Sequence, residues 1–260
     1  MNIPEFRLYA MGEQQRPALR MNVVVGKAYR HQTPVFVSTI RSVIFRPYWN
    51  VPLSIQRAEI LPNLRADSDY LFKHGYEVVD PSGTVLSTGA IDASILAGLQ
   101  SGKLMVRQVP GDKNALGLVK FDFPNQYDVY MHGTPSIALF SKSRRDFSHG
   151  CIRVEDPPAL AAWVLHENPE WTPDRIRDAM SGNETIRVNL KTPIPVLILY
   201  GTATVSEGGI VHFYRDIYGH DEALRRALDN GCPYSATAGG AASCPQLPAS
   251  HPANINVNKF

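Results

Sequence analysis

The sequence predicts a mainly β fold with peripheral helices (α+β) and an insertion in its middle. Three observations carry this. The first fifty residues alternate apolar and polar side chains and are rich in β-branched and aromatic types. The same texture returns after Gly117, once a stretch of short mixed segments has passed. And 19 glycines with 20 prolines in 260 residues favour a turn-rich chain over a helical bundle. Apolar residues at 44% and charged residues at 19% exclude disorder driven by charge. A net charge of +2 excludes a general nucleic-acid binder. The longest apolar run, Ile194 to Tyr200, is broken by Pro195 and falls short of the roughly 20 residues of a membrane span. Glu5 and Arg7 stand where a secretory leader would be apolar, so no signal peptide is visible.

Taken in order, Phe6–Ala10, Leu19–Val25 and Pro34–Val37 through Val43–Phe45 read as strands, with turns at Gly12, Gln14–Pro17 and Gly26. Residues 52–117 read as helices at Ser54–Ile60, Ser68–His74 and Ala93–Gln100 and a hairpin spanning Val78–Val85. Strands of one texture flank this stretch, so it is expected to be an insertion into a single β domain. Gly117–Phe121 and Tyr127–Met131 resume the strands. Asp156 before Pro157, and Thr172 before Pro173, each place a capping oxygen ahead of a proline at the first helical position. Leu160, Trp163 and Val164, then Ile176, Ala179 and Met180, supply the faces to be buried. Val196–Val205 should pair with Ile210–Tyr214 across Glu207-Gly208-Gly209, and Asp221–Leu228 is a last helix. Residues 231–260 are Ala, Gly, Ser and Pro without periodicity, and are expected to form an unstructured tail. Cys232 and Cys244 lie in it, where a disulfide and two free thiols are both allowed.

The chemistry concentrates between Met131 and Val154. A cysteine set between glycine and a β-branched run suits a nucleophile, and that describes Cys151, flanked by Gly150 and Ile152. Gly150 lets the backbone approach a carbonyl closely, and the amides of such a turn converge to stabilise an oxyanion. The reactive form is the thiolate, so Cys151 needs a base or a positive neighbour. His149 shares a face with it in extended chain, while His132 comes near only through the fold. Spacing alone leaves both open. Arg145 and Arg153 supply charge that either lowers the thiol or takes a substrate carboxylate. A zinc site of His132, His149 and Cys151 with Asp146 is the weaker reading.

His132-Gly133-Thr134-Pro135 followed by Ser148-His149-Gly150-Cys151-Ile152-Arg153-Val154 resembles the signature of the L,D-transpeptidase catalytic domain, the YkuD type. Pro47–Ile55, Pro110–Gly117, Pro124–Tyr130 and Asp216–Asp221 are similar to the larger YcbB-like branch, and the likeness runs from about Ile3 to Leu228. The resemblance implies a twisted β-sandwich whose groove is covered by a capping insertion, with residues 1–230 as the catalytic domain. It implies Cys151 as nucleophile, His132 rather than His149 as general base, and the Gly133 carbonyl as orienter of the imidazole. His149, Gly150, Arg153 and Tyr130 then line the oxyanion and substrate region, with no cofactor and no metal. Implied partners are peptidoglycan stem peptides, donor and acceptor. The implied location is the periplasm or cell envelope. The implied reaction is formation of 3→3 cross-links through a cysteine acyl-enzyme. Hydrolysis by an L,D-carboxypeptidase or cross-link hydrolase at the same Cys-His site, and a non-catalytic peptidoglycan-binding module, are the alternatives.

Overall fold

The structure, a computed structural model, describes residues 1–12, 16–206 and 208–230. The expected turns at 14–17 and 207–209 fall partly outside these residues, and the expected tail with Cys232 and Cys244 falls wholly outside.

Strands β1 (Arg7–Met11), β2 (Pro17–Gly26) and β3 (Phe36–Phe45) form where the alternation lies. The next segment builds a sheet of its own. It holds β4 (Trp49–Asn50), α1 (Leu53–Ile55), a π-helical turn (Gln56–Ile60), α2 (Leu61–Ala66), α3 (Tyr70–His74), β5 (Tyr76–Val79), β6 (Val85–Ser87), α4 (Ala93–Ser101) and β7 (Met105–Gln108). Its strand order is β4-β7-β5-β6. A separate apolar cluster, including Ile60, Leu61, Leu71, Val78, Leu99 and Val106, packs the helices on that sheet. Gln56, fully buried, joins the two layers: its amide donates to Leu99 O at 2.8 Å and accepts the Val106 N–H at 2.7 Å. The helix expected to stop at Ile60 runs on to Ala66. Pro62 cannot continue the ordinary bonding pattern, and a π turn, with Leu61 N–H reaching Gln56 O, carries the helix past it.

The main sheet curls around the larger core. Its order is β1-β2-β11-β9-β8-β3-β12, with β10 joined to β2, where β8 is Val119–Asp122, β9 Met131–His132, β10 Asp146–Ser148, β11 Ile152–Val154 and β12 Ile186–Ile198. Helices α5 (Pro157–Val164) and α6 (Pro173–Ser181) close this core. Asp156 accepts the Ala159 N–H and Thr172 the Arg175 N–H, as the caps require. Phe45 and Phe121, fully buried in the core, each contribute about 1.5–3 kcal/mol. Beyond β12 come β13 (Ala203–Val205), β14 (Val211–Phe213) and α7 (His220–Asp229).

Three strand expectations are corrected. Tyr127–Met131 is a strand only from Met131, because the Asn125 carboxamide oxygen takes the Tyr127 and Val129 N–H groups and Asp128 adopts a left-handed φ of 53°. Val196–Val205 is not one strand: its first part belongs to β12, paired with β3, and only Ala203–Val205 meets β14. Finally β12 begins at Ile186, a start the sequence reading missed. Pro193 and Pro195 fit there because β12 is an edge strand with an irregular register between Asn189 and Ile194.

Candidate active site

The parallel pairing of β9 with β11 sets the geometry. Met131 stands opposite Ile152 and His132 opposite Arg153, and the Ile152 N–H donates to Tyr130 O at 3.0 Å. Met131 and Ile152 point into the core. Alternation therefore turns His132 and Arg153 to the opposite face, and Tyr130 and Cys151, just before the two strands, meet each other beside them. Lys120 on β8 pairs with His132 and adds a cation to that face. Residues 19 positions apart in sequence thus become diagonal neighbours.

His132 is buried at 4% exposure. Its Nδ1 lies 2.5 Å from the Gly133 carbonyl. A carbonyl only accepts, so Nδ1 carries the proton and Nε2 keeps a basic lone pair. Burial, reinforced by the Arg153 charge, pushes the imidazole pKa down to about 3. Gly133 is itself pinned, its N–H donating to Val119 O at 2.9 Å. Gly117, with φ +63°, packs against it so closely that a Cβ there would lie 2.6 Å from Thr134 N and 2.7 Å from the Gly133 carbonyl carbon.

Cys151 is half-buried and is the free cysteine among the described residues. Burial pushes its thiol up, while hydrogen bonding to Tyr130 and the charges of Lys120 and Arg153 pull the other way. Lys120 Nζ sits 4.1 Å from the centre of the Tyr130 ring. With the thiol raised and the imidazole lowered, both groups are neutral at rest near pH 7.

The turn carrying the thiol is held from below. Ser148 Oγ donates to Cys151 O at 2.5 Å and accepts the Gly150 N–H at 3.1 Å. Thr33 Oγ1 donates to Gly150 O at 2.8 Å and accepts the Gly26 N–H at 2.9 Å. Tyr218, in the segment before α7, donates its hydroxyl to Gly26 O at 2.7 Å and accepts the Thr33 N–H at 3.2 Å. Gly150 has φ +116°, a conformation that favours glycine.

That bend overturns one expectation. Residues 149–151 are not extended, so His149 does not share a face with Cys151. Its Nε2 instead meets Glu59 Oε1 at 2.7 Å, and its ring stands edge-on to His31 with centroids 4.6 Å apart. Glu59 belongs to the π-helical turn, so the middle segment touches the Cys151 turn directly. The Gly150 N–H, expected among the oxyanion donors, is occupied by Ser148. Arg145 is not at the site: its guanidinium donates to Val23 O, Lys142 O, Phe6 O and Asn22 Oδ1. Asp146 binds Arg144, so the zinc reading loses two of its four ligands. Among the described residues no group of three His, Cys, Asp or Glu side chains is placed to hold a metal.

Sequence reading missed Thr33, Lys120, Glu59 and Tyr218. The Asp216–Asp221 motif was visible, but not the 185 residues of chain that Tyr218 spans to reach Thr33.

Comparison with known proteins gives the family. The family described as L,D-transpeptidase catalytic domain (YkuD) matches residues 1–196. A curated relative from Haemophilus influenzae, named "Putative L,D-transpeptidase", is 34% identical over 232 residues, covering 88% of this chain and 46% of its own length. The chain therefore spans about half the length of that relative. The fold, with its strands in curled sheets and helices at their margin, is the one expected of such a domain. The chain belongs to the L,D-transpeptidase catalytic domain family of the YkuD type.

Proposed function

We propose that the protein is a peptidoglycan L,D-transpeptidase acting in the periplasm or cell envelope. The observation that supports this best is the pairing of β9 with β11, which sets His132 opposite Arg153 beside the Cys151 turn, with the imidazole proton held on Nδ1 by Gly133 O. As the sulfur attacks the carbonyl of the L,D-peptide bond in a tetrapeptide stem, the thiol proton passes to His132 Nε2. The sulfur–carbon bond forms, the carbon–nitrogen bond breaks, and the same proton goes to the departing D-alanine amine. A thioester on Cys151 remains. An acceptor amine, in our reading the side chain of a diaminopimelate on a neighbouring stem, then loses a proton to Nε2 and displaces the sulfur, which takes that proton as the Cys151 thiol, giving a 3→3 cross-link.

The resting neutral pair suits this order of events. A lone imidazolium or thiolate in this buried setting is unfavourable, so charge arises only as the bond to substrate forms. The Tyr130 hydroxyl steadies the sulfur, and amides of the Cys151 turn other than that of Gly150 face the oxyanion.

The test is mass spectrometry of the products from a disaccharide-tetrapeptide, with and without an added amine acceptor. Cross-linked dimers formed with loss of D-alanine support transfer. Tripeptide monomers alone would replace it with hydrolysis at the same residues. Absence of turnover, together with absence of carbapenem labelling at Cys151, would leave only a binding module.

A further inference from the structure

Several arginines of this protein have partners. Arg145 spends its nitrogens on three carbonyls and a carboxamide, Arg107 pairs with Glu77, and Arg144 pairs with Asp146. Even Arg46, whose Nε is orphaned, donates through Nη1 to Met180 O at 3.3 Å. Arg153 differs. Its Nε is shielded from solvent with no acceptor, and among the described residues it joins no ion pair. Lys120, the other cation of this face, has Asp122 at 3.5 Å. Arg153 is therefore the uncompensated charge beside Cys151.

Shielding a guanidinium nitrogen without an acceptor is unfavourable, and partial burial already pulls Arg153 below its ordinary pKa. A ligand anion would relieve this. Position says which one. Arg153 lies on β11, two residues beyond Cys151 and at most about 7 Å along the chain, and its charge is felt at the thiol. In a donor peptide the α-carboxylate of the C-terminal residue is three bonds from the carbonyl under attack. A long side chain starting at that distance meets it, and the guanidinium fork matches a carboxylate in two parallel hydrogen bonds.

We propose that Arg153 docks the α-carboxylate of the donor's C-terminal residue, so that the site reads a free chain end. This rests on the reading of Cys151 as the acylated residue. It adds a specificity: a donor whose last residue is extended or amidated loses the contact and leaves Arg153 Nε without an acceptor. The leaving amino acid is then held until its amine is protonated.

The test uses the full chain carrying Cys151→Ala, which binds without reacting, and calorimetric titration with two disaccharide-tetrapeptides, one ending in a carboxylate and one in a carboxamide. The carboxylate peptide should bind at least about tenfold more tightly, the worth of a charged hydrogen-bonded pair. Adding Arg153→Gln should erase that preference, and Arg153→Lys should restore part of it. Equal affinity of Cys151→Ala for the two peptides would overturn the proposal, as would binding of neither. So would a preference that survives Arg153→Gln, or a loss in that variant equal for both peptides, which would make Arg153 a support for the thiol instead. A failure of acyl transfer itself shows separately, as absence of turnover by the unaltered protein on the carboxylate peptide.

Discussion

Tyr218 stands beneath the Cys151 turn, its hydroxyl accepting the Thr33 N–H at 3.2 Å and donating to Gly26 O at 2.7 Å, and Thr33 in turn holds Gly150 O. Gly26 allows this proximity because a Cβ there would fall 1.8 Å from His31 O. Tyr218→Phe keeps the ring and removes both bonds. It should cost about 1–3 kcal/mol in denaturant unfolding, since two buried backbone groups lose their partner. Turnover should fall more than KM rises, because the turn that carries the thiol loosens. A variant as stable and active as the parent would show that Thr33 alone holds Gly150.

The neutral resting pair has a pH signature. His132 titrates near 3 in the folded chain and near 6.5 in the unfolded one. Below pH 6.5 the unfolded chain takes a proton that the folded chain refuses, so this residue makes stability decline as pH falls from about 6.5 toward 3. Thermal unfolding between pH 7 and 4 should show a shallower decline in His132→Asn than in the parent. Alkylation of Cys151 by iodoacetamide should rise with pH up to and beyond 9, because burial holds the thiol up. A rate already at its plateau near pH 5 would mean a thiolate–imidazolium pair instead.

Glu59 and His149 join the middle segment to the Cys151 turn, with side chains 50% and 28% exposed. A hydrogen bond between side chains this exposed is worth little, so Glu59→Gln should change stability by less than about 1 kcal/mol. If the contact steadies the Cys151 turn, kcat/KM should fall by about two- to fivefold with unfolding unchanged. Steady-state kinetics beside a denaturation curve separates the two effects.

Gly117 bears on His132 through Gly133. Gly117→Ala places a methyl group against the Gly133–Thr134 backbone at a φ of +63°, and should cost about 2–4 kcal/mol. Gly89→Ala is the control, because nothing lies within 4 Å of its added carbon and its φ is ordinary. A neutral Gly117→Ala would mean that the loop shifts freely, and that the His132 orientation does not depend on it.

Much of this was legible in the sequence, for local reasons. The Asp156 and Thr172 caps act within three residues, and the early strands announce themselves by alternation. Cys151 and His132 were legible through a motif. What stayed hidden depends on partners distant in sequence. Tyr218 looks like any core tyrosine until Thr33 is beside it. Arg145 and Arg153 are alike in sequence, and only the fold separates the arginine that ties down carbonyls from the one left without an acceptor. His149 could not be placed from spacing, because that needs an extended chain across Gly150, the residue least bound to adopt it. Tyr127–Val129 misled because the Asn125 side chain takes backbone bonds that a strand would need.

The central claim is that Cys151 is acylated by the donor stem. Intact-protein and peptide mass spectrometry after brief mixing with a disaccharide-tetrapeptide tests it most directly. The account predicts an adduct on the peptide containing Cys151, equal in mass to the donor less D-alanine, and no adduct in Cys151→Ala. An adduct that persists in Cys151→Ala, or D-alanine release by that variant at the parent rate, would contradict it.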